Sequence, residues 1–175
     1  MGAPLRNNPD FPASWGMSLK IVTPLVSAVL VGTMISLGGA PLAPEWREVL
    51  LGLLAGVFLG AAFCAVRGYR VGGGVLEILR PGWRTRIPLA GLRSVETGAG
   101  VMSASIRLFG NGGFWSFTGW FWNRRLGRYR AFVNDPRRAV ALRFVRGCVV
   151  VSPDDAGAFA LRVRVESGLE PRPSV

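Results

Sequence analysis

The chain has 175 residues, 21 basic against 10 acidic side chains, a net charge of +11, no histidine and two cysteines, and half of its residues are apolar. The absence of histidine removes the commonest general base, two isolated cysteines among scattered carboxylates cannot assemble a zinc site, and the positive mean hydropathy is high for a soluble domain. The charge is lopsided: residues 1–66 hold three basic and three acidic side chains and the remainder 18 and 7, so the C-terminal part attracts anionic lipid, nucleic acid or an acidic protein.

Residues 1–18 read as a short cytoplasmic segment. Two uncharged apolar runs follow, Ile21 to Pro44 and Val49 to Val66. Crossing roughly 30 Å of hydrocarbon takes about 20 apolar residues, so a transmembrane hairpin is predicted over 19–66, with helices at about 19–37 and 44–66. Gly38-Gly39 stops the first. Pro44 suits the first position of the second, with Glu45 and Glu48 at the positive end of its dipole. Trp15 and Trp46 fall where interfacial aromatics belong. The small-residue sites at Ala40 and Ala43 are each followed by proline, which argues against a cleaved signal peptide. The connection carries Arg47 against Glu45 and Glu48, while Arg6, Lys20, Arg67 and Arg70 flank the outer ends, so the positive-inside rule places both termini in the cytoplasm.

Ala28, Gly32 and Ser36 in the first span, and Gly52, Gly56, Gly60 and Cys64 in the second, recur every four residues. Residues at that spacing share a face and let helices approach closely. Packing of the two spans against each other is the first expectation and homodimerisation through the glycine face the alternative.

After Arg67 the period changes to that of strands. Tyr69 to Leu79 reads as a hairpin around Gly72-Gly73-Gly74, and Thr85 to Glu96 as strand, turn and strand. Ser105 to Phe109 is a further strand. In Arg128 to Asn134, Tyr129, Ala131 and Val133 alternate with Arg130 and Phe132. Ala139 to Phe144 and Gly147 to Ser152 form a second hairpin turning near Arg146-Gly147. Ser152 is then expected as a helix N-cap, with Pro153 first in the helix and Asp154 and Asp155 in its opening turn; Ala156, Phe159, Ala160 and Val163 share its apolar face. Residues 166–175 read as a flexible tail. Glu77 and Glu96 are expected to pair with neighbouring arginines. Cys64 and Cys148 read as small buried hydrophobes, not as a disulfide.

The fold class is therefore α+β, mainly β: a two-helix transmembrane hairpin, then an antiparallel barrel of about seven strands over 68–165 capped by one C-terminal helix. That architecture resembles a pleckstrin-homology (PH) fold. The order of two spans followed by Tyr69-x-Val71, Leu76-x-Ile78 and Arg84-x-x-Ile87-Pro88-Leu89-x-x-Leu92 is similar to the bacterial membrane-anchored PH-like families. Gly110, Gly113, Gly119, Phe121, Leu126, Gly127 and Asp135 match one such family, as does the Ser152-Pro153-Asp154-Asp155 run. Asn134 replaces a threonine usual there, and Ala156-Gly157 replaces a proline; neither is expected to alter the fold. The resemblance implies a bacterial inner (plasma) membrane location, no catalytic residue and no cofactor.

The most unusual stretch is Arg107 to Phe132, with six aromatics in the nine positions from Phe114 to Trp122. Its glycines lead into aromatics and not into a helix start, so it is no phosphate cradle. Basic residues among aromatics suit single-stranded nucleic acid, but a chain held at a membrane has a nearer polyanion in anionic phospholipid. Either Phe117 and Phe121 fill the barrel, with Gly112, Gly113 and Gly119 allowing tight bends, or the rings enter the headgroup layer. A small barrel cannot bury all six, so a division is expected. The candidate membrane or partner contacts are Phe114, Trp115, Trp120, Trp122, Arg124, Arg125, Arg128 and Arg130. The sequence thus points to a non-enzymatic scaffold or adaptor that binds a protein partner, anionic headgroups or both. An accessory subunit of a membrane complex is the alternative and a lipid-acting enzyme a weaker one.

Overall fold

The two charge-free runs form the two longest helices of the computed structural model, which describes residues 10–41 and 43–169. Helix α1 is Met17–Gly38 and helix α2 is Pro44–Phe63; both are long and apolar enough to cross a membrane. Pro24 sits inside α1, where its missing N–H leaves the Lys20 carbonyl without an intrahelical donor. Helix α2 stops short of the expected residue 66 because Ala65 and Val66 turn into the core of the following domain, where both are buried.

The small-residue stripes do not join the spans to each other. A Cβ added at Gly32, Gly52, Gly56 or Gly60 would meet nothing within 4 Å among the described residues, and Ala28 and Ser36 are exposed. The half-buried positions fall elsewhere, among them Ser27, Leu30, Met34, Leu51, Leu54, Ala55 and Phe58. The expected packing face is therefore turned outward: a four-residue period defines a face but not what covers it.

Strands β2 (Gly68–Gly72) and β3 (Val75–Leu79) form the expected hairpin. Gly73 and Gly74 at its turn have φ of 59° and 71°, the left-handed pair that a two-residue hairpin loop demands. Strand β4 (Arg84–Pro88) follows β3, and the two-residue β1 (Phe11–Pro12) pairs with β2 on the other edge. The second sheet holds β5 (Leu92–Thr97), β6 (Ile106–Phe114), β7 (Ser116–Asn123), β8 (Gly127–Val133), β9 (Val140–Phe144) and β10 (Gly147–Val151), in the order β5-β9-β10-β8-β7-β6. The β8–β10 contact is parallel and the others antiparallel. The fold class holds, with two corrections. The described residues give ten strands rather than about seven, and the sheets stay separate, of four and six strands, so the module is a sandwich and not a closed barrel. Helix α3 (Ala156–Ser167) covers one side.

Strands β8, β9 and β10 each bury apolar side chains on both faces because there are two cores. Tyr69, Val71, Leu76, Ile78, Phe132, Leu142, Phe159 and Val163 fill the space between the sheets and α3. Tyr129, Ala131, Val133, Ala141 and Val150 face the other way, under Val101. The β5–β6 connection straps over that second face. Asn123 donates to Val101 O (3.0 Å) and Ser105 Oγ (2.9 Å), and the Tyr129 hydroxyl lies 2.7 Å from Ser105 Oγ.

Helix α3 starts later than expected. Its N-cap is Asp155, whose carboxylate accepts from the Ala158 N–H. Ser152 cannot cap because its buried hydroxyl already accepts from the Asn134 and Asp135 N–H groups at 2.8 and 3.2 Å. Glu77 pairs with Arg70, Arg84 and Arg86, and Glu96 with Arg125 and Arg143, as expected. Both cysteines are free, Cys148 buried and Cys64 half-buried.

The Tyr69 hydroxyl donates to Phe132 O (2.6 Å) and accepts from the Ser152 N–H (2.9 Å). Burial pushes its pKa from 10.0 up to about 12. The fold favours the neutral phenol, so its contribution is whole below pH 10 and is lost as pH rises from there toward 12. At about 1.4 kcal/mol per unit the loss is about 3 kcal/mol. The intact chain in detergent should therefore lose stability steeply above pH 10. Tyr69→Phe should be weaker at neutral pH but fall less on alkalinisation. Burial also raises Tyr129, and raises Cys148 to about 11, so a smaller fall persists. Equal alkaline slopes in denaturant melts would refute the assignment to Tyr69.

Candidate membrane-facing site

The residues flanking the helical hairpin are built into the sandwich. Asn134, fully buried at the end of β8, donates through Nδ2 to Ala13 O (2.7 Å), just before α1, and to Val66 O (2.8 Å), just after α2. The Gly16 N–H donates to Asn134 O (3.1 Å). Ser14 donates to the Asp154 carboxylate from its N–H (2.9 Å) and its hydroxyl (2.6 Å), while the Asp154 N–H donates to Pro12 O (2.9 Å). Asp154 thus holds the N-terminal segment and Arg138 (3.0 Å), not the first turn of α3. The segment expected to lie outside the module supplies one of its strands from residue 11 onward.

The C-terminal end of α2 leaves carbonyls that its own helix cannot satisfy. Trp83 Nε1 donates to Phe63 O (3.2 Å), and Arg80 Nη1 to Cys64 O (3.1 Å). A cation there also complements the negative end of the helix dipole. The Arg80 guanidinium lies between Trp83 and Phe132, 4.4 and 5.1 Å from their ring centres. Arg80 is only 9% exposed; burial above all, with the neighbouring Arg130 charge, pulls its pKa below the ordinary value. A guanidinium starts so far above neutrality that it keeps its charge.

The aromatic stretch is the β6–β7 hairpin, whose tip is wedged between the two apolar helices. Trp115, at φ 68°, donates its backbone N–H to Thr23 Oγ1 on α1 (3.1 Å). Its ring meets Trp15 and Phe58 edge-on at 5.6 and 6.0 Å, and Phe114 also packs on Phe58 at 6.0 Å. Asn111 braces the turn by accepting from the Phe114 N–H (3.1 Å) and donating to Phe114 O. Deeper in the hairpin, Gly110 and Gly119 face each other across the ladder.

The eight sequence-predicted contacts are not one patch. Phe114 and Trp115 are at the tip against the helices. Trp120 and Trp122 are on the sheet surface, cross-strand from Arg130 and Arg128, and Arg128 stacks on Trp120 at 4.5 Å. Arg124 and Arg125 sit at the opposite end: β7 has eight residues, which at about 3.3 Å each is roughly 25 Å from the tip. Of the remaining rings, Phe121 stacks on Tyr129 in the second core and Phe117 packs beside it.

Between α2 and the hairpin lies a cavity of about 540 Å³. Val57, Gly60 and Ala61 form its helix wall, and Arg80, Arg107 and Arg130 bring three guanidinium groups to it, with no carboxylate in the lining. A second cleft of about 470 Å³, at the far end of the sheet, is lined by Arg93, Arg125, Arg143 and Arg164; there Glu96 neutralises Arg125 and Arg143, and Arg164 donates to Val95 O. Sequence reasoning missed Arg80, Arg107 and Asn134. Only Asn134 carried a signal, as a departure from the resembling family's pattern.

Residues 67–166 match the family model described as the bacterial PH domain. No curated protein and no solved structure gives a significant match to the chain.

Proposed function

Since the chain belongs to the bacterial PH domain family, a family of binding modules, we propose that it is a non-enzymatic scaffold or adaptor at the cytoplasmic face of a bacterial inner membrane. It holds a protein partner there and is steadied by anionic headgroups. The observation that carries this reading is the double grip of Asn134 on Ala13 O and Val66 O. With both ends of the hairpin tied to one side chain, two spanning helices must enter and leave on the same side of the bilayer as the sandwich. The charge excess after Val66 supports the cytoplasmic side.

Depth follows from helix length. From Thr23 to the end of α1 is 16 residues, roughly 24 Å of helix, less than the roughly 30 Å of hydrocarbon. The boundary therefore lies on the domain side of Thr23, and the Phe114-Trp115 tip, bonded to Thr23, reaches the hydrocarbon edge of the interface, next to the layer tryptophan favours. Lys20 is placed to extend toward the phosphates. The uncovered face of Gly52, Gly56 and Gly60 favours a second reading, in which the chain is an accessory subunit packed on another membrane protein.

A reporter fused to the C-terminus should be active only in its cytoplasmic form, and the chain should resist alkaline carbonate. Photocrosslinkers at Arg124 and Arg146 should give a discrete protein adduct in native membranes. An exported reporter or carbonate release would overturn the proposal. A protein adduct at Gly56, with none at Arg124 or Arg146, would favour the accessory subunit.

A further inference from the structure

Three features of the cavity between α2 and the β6–β7 hairpin converge on one ligand. The first is uncompensated charge. Among the described residues, Arg80, Arg107 and Arg130 form no ion pair, whereas Arg84, Arg86, Arg125, Arg138 and Arg143 each have a carboxylate partner. Arg80 is nine-tenths buried, and its Nε is enclosed without an acceptor, which leaves a desolvated cation that the fold only half satisfies. Three cations around one space, with no anion among the lining residues, lack a ligand that carries negative charge. Guanidinium groups suit phosphate oxygens best.

The second feature is the opposite wall. Val57, Gly60 and Ala61 come from the last turns of α2, and Gly60 has open space where a side chain would be. The apolar wall beside the arginines therefore belongs to a helix that is long and apolar enough to span a bilayer. A free phosphate has no use for that wall, but a glycerol backbone and acyl chain do. The third is the state of the aromatic faces. Trp83 and Trp120 line the cavity, but Arg80 and Arg128 already lie over them at 4.4 and 4.5 Å. A quaternary or primary ammonium headgroup would compete with guanidinium groups already stacked on these rings and be repelled by the three arginines.

We propose that this cavity binds one anionic glycerophospholipid whose headgroup carries no compensating cation, with its phosphate among Arg80, Arg107 and Arg130 and an acyl chain along Val57 and Gly60. The assignment rests on the membrane-tethered reading above and makes its headgroup contact specific. The lipid fills the space between helix and hairpin, so it would also fix the angle of the sandwich on the membrane.

The test uses the intact chain in nanodiscs of phosphatidylcholine with and without phosphatidylglycerol, with retained lipid counted by native mass spectrometry. About one phosphatidylglycerol should stay with each chain from mixed discs, and phosphatidylcholine should not. Arg107→Gln with Arg130→Gln changes two exposed side chains and should retain at least tenfold less, because each near-surface arginine contributes substantially to anionic-lipid attraction. Arg93→Gln, an exposed residue of the cleft at the far end of the sheet, should behave as wild type. Circular dichroism of the double variant checks that the sheet is intact; if it is not, Gly60→Leu, which fills the cavity from the helix side, should give the same loss. Millimolar inorganic phosphate should not displace the lipid. Unchanged retention in folded double and Gly60→Leu variants, equal retention of phosphatidylcholine, or displacement by inorganic phosphate would each overturn the assignment. Loss of lipid in Arg93→Gln alone would overturn the assignment to this cavity and leave the tethered module standing.

Discussion

Replacing Asn134 with alanine should destabilise the protein by about 3 kcal/mol and free the sandwich from its helices. The Asn134 amide is the donor to Ala13 O and Val66 O, and a buried carbonyl that loses its partner costs about 1–3 kcal/mol. The truncation also deletes Asn134 Oδ1, an acceptor with no partner of its own, which returns part of that cost. Asn134→Thr should be intermediate, since one hydroxyl proton cannot serve both carbonyls. Asn134→Asp should be worst, because it sets a carboxylate against two carbonyl oxygens. Urea melts of the detergent-solubilised chain measure the loss. Limited proteolysis distinguishes it from general weakening: cleavage near Ser14 and near Arg67 should accelerate before cleavage within the sheets. If all three variants melt like the wild type, the side chain does not hold the two segments together.

A side chain at Gly119 should have a larger effect, above about 4 kcal/mol or outright failure of the β6–β7 hairpin, the range reached when backbone strain and overpacking coincide. A Cβ there would run into Phe109 O and lie 2.8 Å from Gly110 Cα, and one at Gly110 would meet Thr118 O and lie 2.8 Å from Gly119 Cα. Both residues have positive φ, 135° and 109°, so strain and collision add. Gly119→Ala or Gly110→Ala should pull the Phe114-Trp115 tip from its seat between α1 and α2. A disulfide between cysteines introduced at Trp115 and Thr23 should form in the parent and fail in either glycine variant. Gly100→Ala is the control: nothing lies within 4 Å of its Cβ position, so a change within about 0.5 kcal/mol is expected.

Local signals in the sequence were faithful where one residue or one period decides the outcome. The alternation of Tyr129, Ala131 and Val133 against Phe132 puts them on opposite faces of β8 as read, one face in each core, and Gly73-Gly74 turns the first hairpin. Strand β7 escaped because both its faces carry rings: Phe117 and Phe121 point to the second core, Trp120 and Trp122 lie on the surface, and no polar alternation marks it. Strand β1 escaped because two residues have no period, and its partner lies beyond both helices. Ser152-Pro153 has the chemistry of a helix start, yet Ser152 is committed to the Asn134 and Asp135 N–H groups. A tertiary demand overrode a local preference. The same holds for the arginines. Arg107 and Arg130 come from the strands on either side of β7 and Arg80 from beside the other sheet, and all three line one cavity. Their meeting depends on register and sheet packing, which no window of sequence contains.

The pairing of Phe11 with Tyr69 has a consequence for biosynthesis. The first strand leaves the ribosome before its neighbour is made, and the residues that lock it down, Asn134 and Asp154, come later still. On the membrane-tethered reading proposed above, two helices are delivered to the lipid in between. If only one were inserted, the chain on either side would be stranded across the bilayer and the ladder could never close. On that reading, completion of the sandwich certifies that both helices arrived, and a chain that fails the check is left with an orphaned edge on β2, open to proteases.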